Sequence, residues 1–170
     1  QISYRNWSPP FGGGTHTALP LPGRGLLVVA DEATADDLAD GLKHVWVFDV
    51  REPENPISIA TFPTPDEDDY AHKGRHFGPH NLHENRPGSL QTEDTIFATY
   101  NNAGVRVFDI RNQFAPKEIA SWVPPVPKKL VDPRPNIAID AKTADLYVTK
   151  EGLIFVSDWN AGLHVLQYDG

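Results

Sequence analysis

The chain has 170 residues, with 15 Lys and Arg against 23 Asp and Glu, for a net charge of −8. That is about one domain's worth of sequence, and so acidic a chain lacks the basic face that nucleic acid demands. The absence of cysteine excludes disulfides, thiolate metal sites and a cysteine nucleophile, and the longest apolar run, Leu26 to Ala30, is far too short to span a membrane.

The chain also lacks methionine and begins at Gln1, without a basic-then-apolar leader, so a processed product or a fragment is expected. Cysteine usage leaves the compartment open, with a lean towards an extracytoplasmic one. The 16 prolines and 13 glycines fall between short apolar runs, which points to short strands and turns.

In chain order, the first predicted strand is Ile2 to Trp7, followed by Thr15 to Leu19 and Gly25 to Ala30. Residues 32–43 read as an acidic loop with at most one surface turn, since Asp36, Asp37 and Asp40 spoil the apolar spacing of Ala35, Leu38, Ala39 and Leu42. Strands at Val45 to Val50 and Ile57 to Phe62 come next, then a second loop, Thr64 to Phe77. Gly78 to His83, Thr95 to Tyr100, Val105 to Ile110 and Lys117 to Val123 repeat the four-strand series. Pro135 to Asp140, Leu153 to Asp158 and Gly162 to Gln167 begin a third. No segment has a convincing helical period.

These strands belong to an internal repeat. Val45-Trp46-Val47-Phe48-Asp49-Val50 matches Val105-Arg106-Val107-Phe108-Asp109-Ile110. Pro56, Ile59 and Ala60 follow at the same spacing as Pro116, Ile119 and Ala120, and a weaker copy begins at Gly162. Four antiparallel strands at a fixed period predict an all-β chain of β-propeller blades. The expected divisions are residues 1–10, an outer strand of a preceding blade, then blades at 15–63 and 78–124 and an incomplete blade at 135–170. The first assignment rests on the likeness of Ile2 to Pro10 to Ile119 to Pro125. Because propellers use four to eight blades, the remaining blades are expected from further sequence or from another chain.

The strand Leu26-Leu27-Val28-Val29-Ala30-Asp31, followed by strands ending in Phe48-Asp49-Val50 or Phe108-Asp109-Ile110 and a proline turn, resembles the LVIVD-repeat β-propellers. The copy at Gly162 lacks the Asp and the proline turn. A more distant likeness, carried by the histidine-bearing inner segments, is to the selenium-binding protein and methanethiol oxidase propellers. It implies metal chemistry at histidines near the propeller axis.

The repeat places His16 over His80, with Asn136 at the third copy, on the strands that line a central channel. Imidazoles converging there suit iron, copper, manganese or zinc, with further ligands from other blades; the alternative is a polar channel in which they only hydrogen-bond. His83 is a further candidate ligand, and Glu84 a candidate catalytic base or a carboxylate that orients His83. Both residues also fit the rim of the channel. His72 and His76, four apart in a glycine-containing stretch, read as loop residues near the mouth. His44 and His164 fall on outer strands as structural or solvent-facing residues. Asp66-Glu67-Asp68-Asp69 lacks the spacing of a calcium loop and reads as solvated, like Asp31 to Asp40. Asp49 and Asp109 are expected to cap turns. Gly12-Gly13-Gly14 has no strand–helix context for a phosphate loop and reads as a sharp turn.

Two functions follow as expectations. One is a metal-binding propeller acting on a small-molecule substrate, as a metal-dependent enzyme of unassigned reaction class. The other is a binding or scaffolding propeller that presents its long loops.

Overall fold

A computed structural model describes residues 1–65, 76–130 and 139–170. Among the described residues ten strands carry the fold: β1 (Thr15–Leu21), β2 (Leu26–Asp31), β3 (Val45–Asp49), β4 (Ile57–Thr61), β5 (Thr95–Thr99), β6 (Val105–Asp109), β7 (Lys117–Trp122), β8 (Thr143–Val148), β9 (Leu153–Asp158) and β10 (Gly162–Gln167). The one helical piece among the described residues is a 3-10 turn at Pro22–Arg24. The chain is therefore all-β. Its strands form three antiparallel, blade-like sheets, ordered β1-β2-β3-β4, β5-β6-β7 and β8-β9-β10.

The sheets pack face to face because both faces of their central strands are apolar. Val28, Val45 and Val47 of the first sheet share a cluster with Ile96, Ala98 and Phe108 of the second. Phe97, Val105 and Val107, on the other face of the second sheet, pack against Leu146, Val148, Ile154 and Val156 of the third. The remaining face of the first sheet, with Val29, Trp46 and Phe48, is covered by Trp7.

The repeat is visible at the level of single bonds. Asp49 accepts the N–H of Arg51 at 3.0 Å, and Asp109 accepts that of Arg111 at 2.8 Å, so both aspartates cap their turns. Each is also paired with that arginine's guanidinium, which holds its carboxyl well below the usual range, at about 2. Both β4 and β7 carry a bulge at the same place, with Ile59 the extra residue opposite the Val47/Phe48 step and Ile119 opposite Val107/Phe108.

Three expected strands are corrected. Residues Ile2 to Trp7 form no strand. They cross the first sheet and are tied to the 53–56 turn, where Ser3 Oγ donates to Pro53 O and Arg5 Nε to Pro56 O. The inner strand of the third sheet is β8 rather than Pro135 to Asp140; residues 131–138 lie outside the described residues, and Asp140 sits in a bend. β8 reaches β9 across the same short gap that joins β1 to β2, Val148 to Leu153 against Leu21 to Leu26. Finally, 78–83 is an irregular edge along β5. His80 N–H donates to Thr99 O and His83 N–H to Phe97 O, each at 2.9 Å, with Leu82 opposite Ala98. Pro79, with no N–H, cannot extend that ladder.

Gly104 opens β6 at φ +74, and a Cβ there would lie 2.2 Å from Trp122 O. Gly162, its counterpart at the start of β10, has φ +89 but open space around it. We expect Gly162→Ala to cost only the backbone term, about 1 kcal/mol, and Gly104→Ala clearly more, because backbone must move. Urea unfolding of both variants checks this; equal losses would show that the close approach to Trp122 does not matter.

Candidate metal centre

β1 begins with a bulge: Thr15 faces Asp31 and Thr17 faces Ala30, so His16 is the extra residue. β8 has the same feature, with Thr143 opposite Asp158 and Asp145 opposite Ser157, leaving Ala144 as the extra residue. Between them, His80 occupies the corresponding place on the edge along β5. The three inner segments lie side by side. His16 Nδ1 is 3.1 Å from His80 O, and His80 Nδ1 is 2.6 Å from Ala144 O, each across 64 residues of chain. The two imidazoles overlap with centroids 4.7 Å apart.

Ala144 O can only accept, so His80 carries its hydrogen on Nδ1; His16 Nδ1 also lies 2.9 Å from Thr17 Oγ1, a hydroxyl that can donate or accept. Nε2 of each ring is thereby turned elsewhere, and both find Glu32. His80 Nε2 lies 3.3 Å from Glu32 Oε1, and His16 Nε2 lies 3.7 Å from Glu32 Oε2. The three ligand atoms fall within 4.8 Å of one another. Two imidazoles and a carboxylate thus face one another across a gap that could hold a cation.

The site is braced from behind. Glu32 N–H donates to Gly14 O at 2.7 Å, tying the carboxylate's backbone to the segment that carries His16. Buried Lys43 donates to Gly12 O at 2.9 Å and Gly13 O at 3.1 Å, and pairs with Asp40 at 3.3 Å. Asp40 also accepts the N–H and hydroxyl of Thr34, so the 32–43 loop is latched to the three-glycine turn. Beside the histidines, Thr17 Oγ1 lies 3.2 Å from His80 O, and Thr99 Oγ1 donates to Ala144 O at 2.9 Å.

The structure thus brings His16 and His80 together and adds Glu32, which by sequence belongs to a solvated acidic loop. A usable sign was available: Glu32 directly follows the strand that pairs with the His16 strand. The structure does not bring His83 to this group. His83 is buried, its Nε2 donates to Leu90 O at 3.0 Å, and its Nδ1 accepts the N–H of Val148 at 3.3 Å. Both nitrogens are used, which leaves no lone pair for a metal; the residue is a strut between the second and third sheets. Glu84 is exposed and pairs with Arg86 at 2.6 Å, which lowers its pKa. It lines a cleft of about 640 Å³ with Ala18, Pro20, Arg86 and Glu93, a wall that includes none of His16, Glu32 and His80.

Ala144, not Asn136, holds the third equivalent place; Asn136 lies outside the described residues, as do His72 and the acidic run 66–69. His76 pairs with Asp36, joining the 32–43 loop to the edge segment beside His80. His44 packs on Trp46 and Phe11, and burial lowers its pKa. His164 packs on Trp122. No protein-family model, curated protein or solved structure matches the chain.

Burial also lowers the pKa of His83. The unfolded chain therefore takes up protons, below about pH 6.5, that the folded chain refuses. Stability should be full above that pH and fall as pH drops beneath it, with His44 contributing in the same direction. We expect His83→Asn to flatten the fall in urea midpoint measured between about pH 7 and pH 5. An unchanged slope would assign the effect to other groups.

Proposed function

We propose that the three sheets are blades of a β-propeller and that His16, Glu32 and His80 hold a divalent transition-metal ion beside its axis. The observation that carries this reading is the convergence of three donor groups, Nε2 of both rings and the Glu32 carboxylate, within 4.8 Å of one another. Nδ1 of His80 is engaged by Ala144 O and Nδ1 of His16 by Thr17 Oγ1 and His80 O, so Nε2 of each ring faces the Glu32 carboxylate, at 3.3 and 3.7 Å. Ligand atoms about 2.1 Å from one ion are separated by about 3.0–3.4 Å at octahedral to tetrahedral angles, so the donors need move little to share one. Two imidazoles and a carboxylate are ligands that iron, zinc, manganese and copper accept. Three protein ligands are the number found in catalytic rather than closed structural zinc sites.

A metal bound there would act as a Lewis acid on a small-molecule oxygen. The chain's own residues supply the rest. Hydrogen bonds from Nδ1 to His80 O and Ala144 O hold the rings in place, the outer-shell role that sets ligand orientation. The bond from Glu32 N–H to Gly14 O does the same for the carboxylate. The family likeness to metal-bearing propellers points the same way.

Elemental analysis of metal-reconstituted protein tests the proposal. The wild-type chain should retain about one ion per chain after desalting. His16→Ala, His80→Ala and Glu32→Gln should each weaken retention by more than about tenfold, since even outer-shell partners are worth 10- to 100-fold. His83→Asn should leave it unchanged. Acid should release the ion, because protons compete for the imidazole lone pairs. Equal metal in the wild type and all three ligand variants, or none in the wild type, would overturn the metal reading.

A further inference from the structure

Glu32 opens a long turn. Residues 32–44 join β2 to β3, where the second sheet needs only 100–104 and the third 159–161. The first part of this strap runs antiparallel to the segment that carries His80. At one end, Glu32 Oε1 lies 3.3 Å from His80 Nε2. At the other, Asp36 and His76 form an isolated antiparallel bridge, and His76 Nδ1 donates to Asp36 Oδ1. Between these pairs the backbones are close: a Cβ at Gly78, whose φ is +147, would lie 2.8 Å from Ala33 Cβ. The strap is thus pinned to 76–80 by a carboxylate and an imidazole at each end.

The two segments are not anchored alike. The second sheet fixes 76–80 on its far side. Asn102 N–H donates to His76 O and Asn101 Nδ2 to Gly78 O, each at 3.2 Å, and Phe77 bridges Asn101. The strap instead turns back straight after Asp36. Ala39 N–H donates to Asp36 O at 3.0 Å across Asp37 and Leu38, which have φ 57 and 55. Turns with two positive-φ residues favour Asn-Gly, and a leucine there is strained. Such strain persists only where surrounding contacts over-determine it. Those contacts are Leu38 on the core, Asp40 on Thr34, and the Asp36–His76 pair. Asp36 is 53% exposed, and an exposed ion pair adds little to global stability. Its effect is local, on where the strap lies.

We propose that Asp36 and His76 are positioning residues of the metal centre. Their pair clamps the strap to the fixed 76–80 segment and so holds the Glu32 carboxylate on His16 and His80. With the clamp broken, the turn at Asp37 and Leu38 relaxes, the strap lifts, and a bound ion loses its carboxylate ligand. This rests on the reading of His16, Glu32 and His80 as metal ligands.

Two rates test it. Mixing zinc-loaded protein with excess chelator gives the rate of ion release, and hydrogen exchange of the Ala39 amide in metal-free protein gives the opening of the strap. Asp36→Asn and His76→Gln should each speed both at least about tenfold, the scale of outer-shell partners, with the urea midpoint unchanged. The double variant should do no more than either single one, as for two halves of one interaction. Asp37→Asn removes the same charge one residue away from the clamp and should alter neither rate. An equal effect of Asp37→Asn, or a urea midpoint that falls with the clamp variants, would overturn the proposal. A zinc-binding wild type whose clamp variants leave both rates unchanged overturns the clamp alone. A wild type without zinc whose clamp variants still free the Ala39 amide overturns the metal reading and leaves the clamp.

Discussion

An edge carbonyl with no strand beside it must still find a donor, and the inner edge of each sheet presents such carbonyls. Here they are met from the neighbouring sheet. His16 and Thr17 reach His80 O, while His80 and Thr99 reach Ala144 O. These bonds set how closely the inner segments approach, and so where the apolar faces behind them meet. They also dictate which ring nitrogen is left over. The candidate metal centre is therefore a by-product of satisfying the backbone: once Nδ1 is spent on a carbonyl, Nε2 is the atom that faces Glu32.

Other polar groups inside the fold work in the same way. Buried Asp31, at the end of β2, accepts the indole N–H of Trp46 at 2.7 Å and lies 3.2 Å from that of Trp7. One carboxylate thereby holds residues 1–11 against the first sheet. Asp158, the equivalent residue at the end of β9, accepts instead from Thr143, Lys142 N–H and Asn160 N–H. The aspartate recurs while its partners change, because the first sheet must anchor an incoming segment and the third must anchor its own inner strand. A buried charge left unpaired would cost several kcal/mol, which is why each of these acids is surrounded by donors.

The second sheet shows what happens when the repeat is interrupted. Its inner edge reaches β5 through the long connection 84–94, where the other sheets use a short gap. His83 takes the place that Leu19 holds in β1 and Tyr147 in β8. A histidine there is stable only because Leu90 O and Val148 N–H meet both of its nitrogens. The chemistry that made His83 a plausible ligand in the sequence is consumed by packing.

Local pattern determined much of this protein by itself. Alternation of β-branched and aromatic residues marked β2, β3, β5, β6, β9 and β10, and the recurrence of Asp49 and Asp109 marked the turns. Matching the inner segments also placed His16 beside His80, because the repeat period carries equivalent residues to equivalent places. What the sequence did not disclose depends on neighbours far along the chain. Glu32 looks solvated until β1 and the 78–83 edge close around it. β8 is hidden by a third copy that diverges from the other two. Residues 2–7 read as a strand, yet Trp7 packs on the face of the first sheet and Ser3 and Arg5 bond to the 53–56 turn instead. His83 and Glu84 are adjacent in sequence, but Leu90 O and Val148 N–H claim one and Arg86 the other. Strand propensity is written in residues two apart; hydrogen-bond partners across 64 residues are decided by the packing of the sheets.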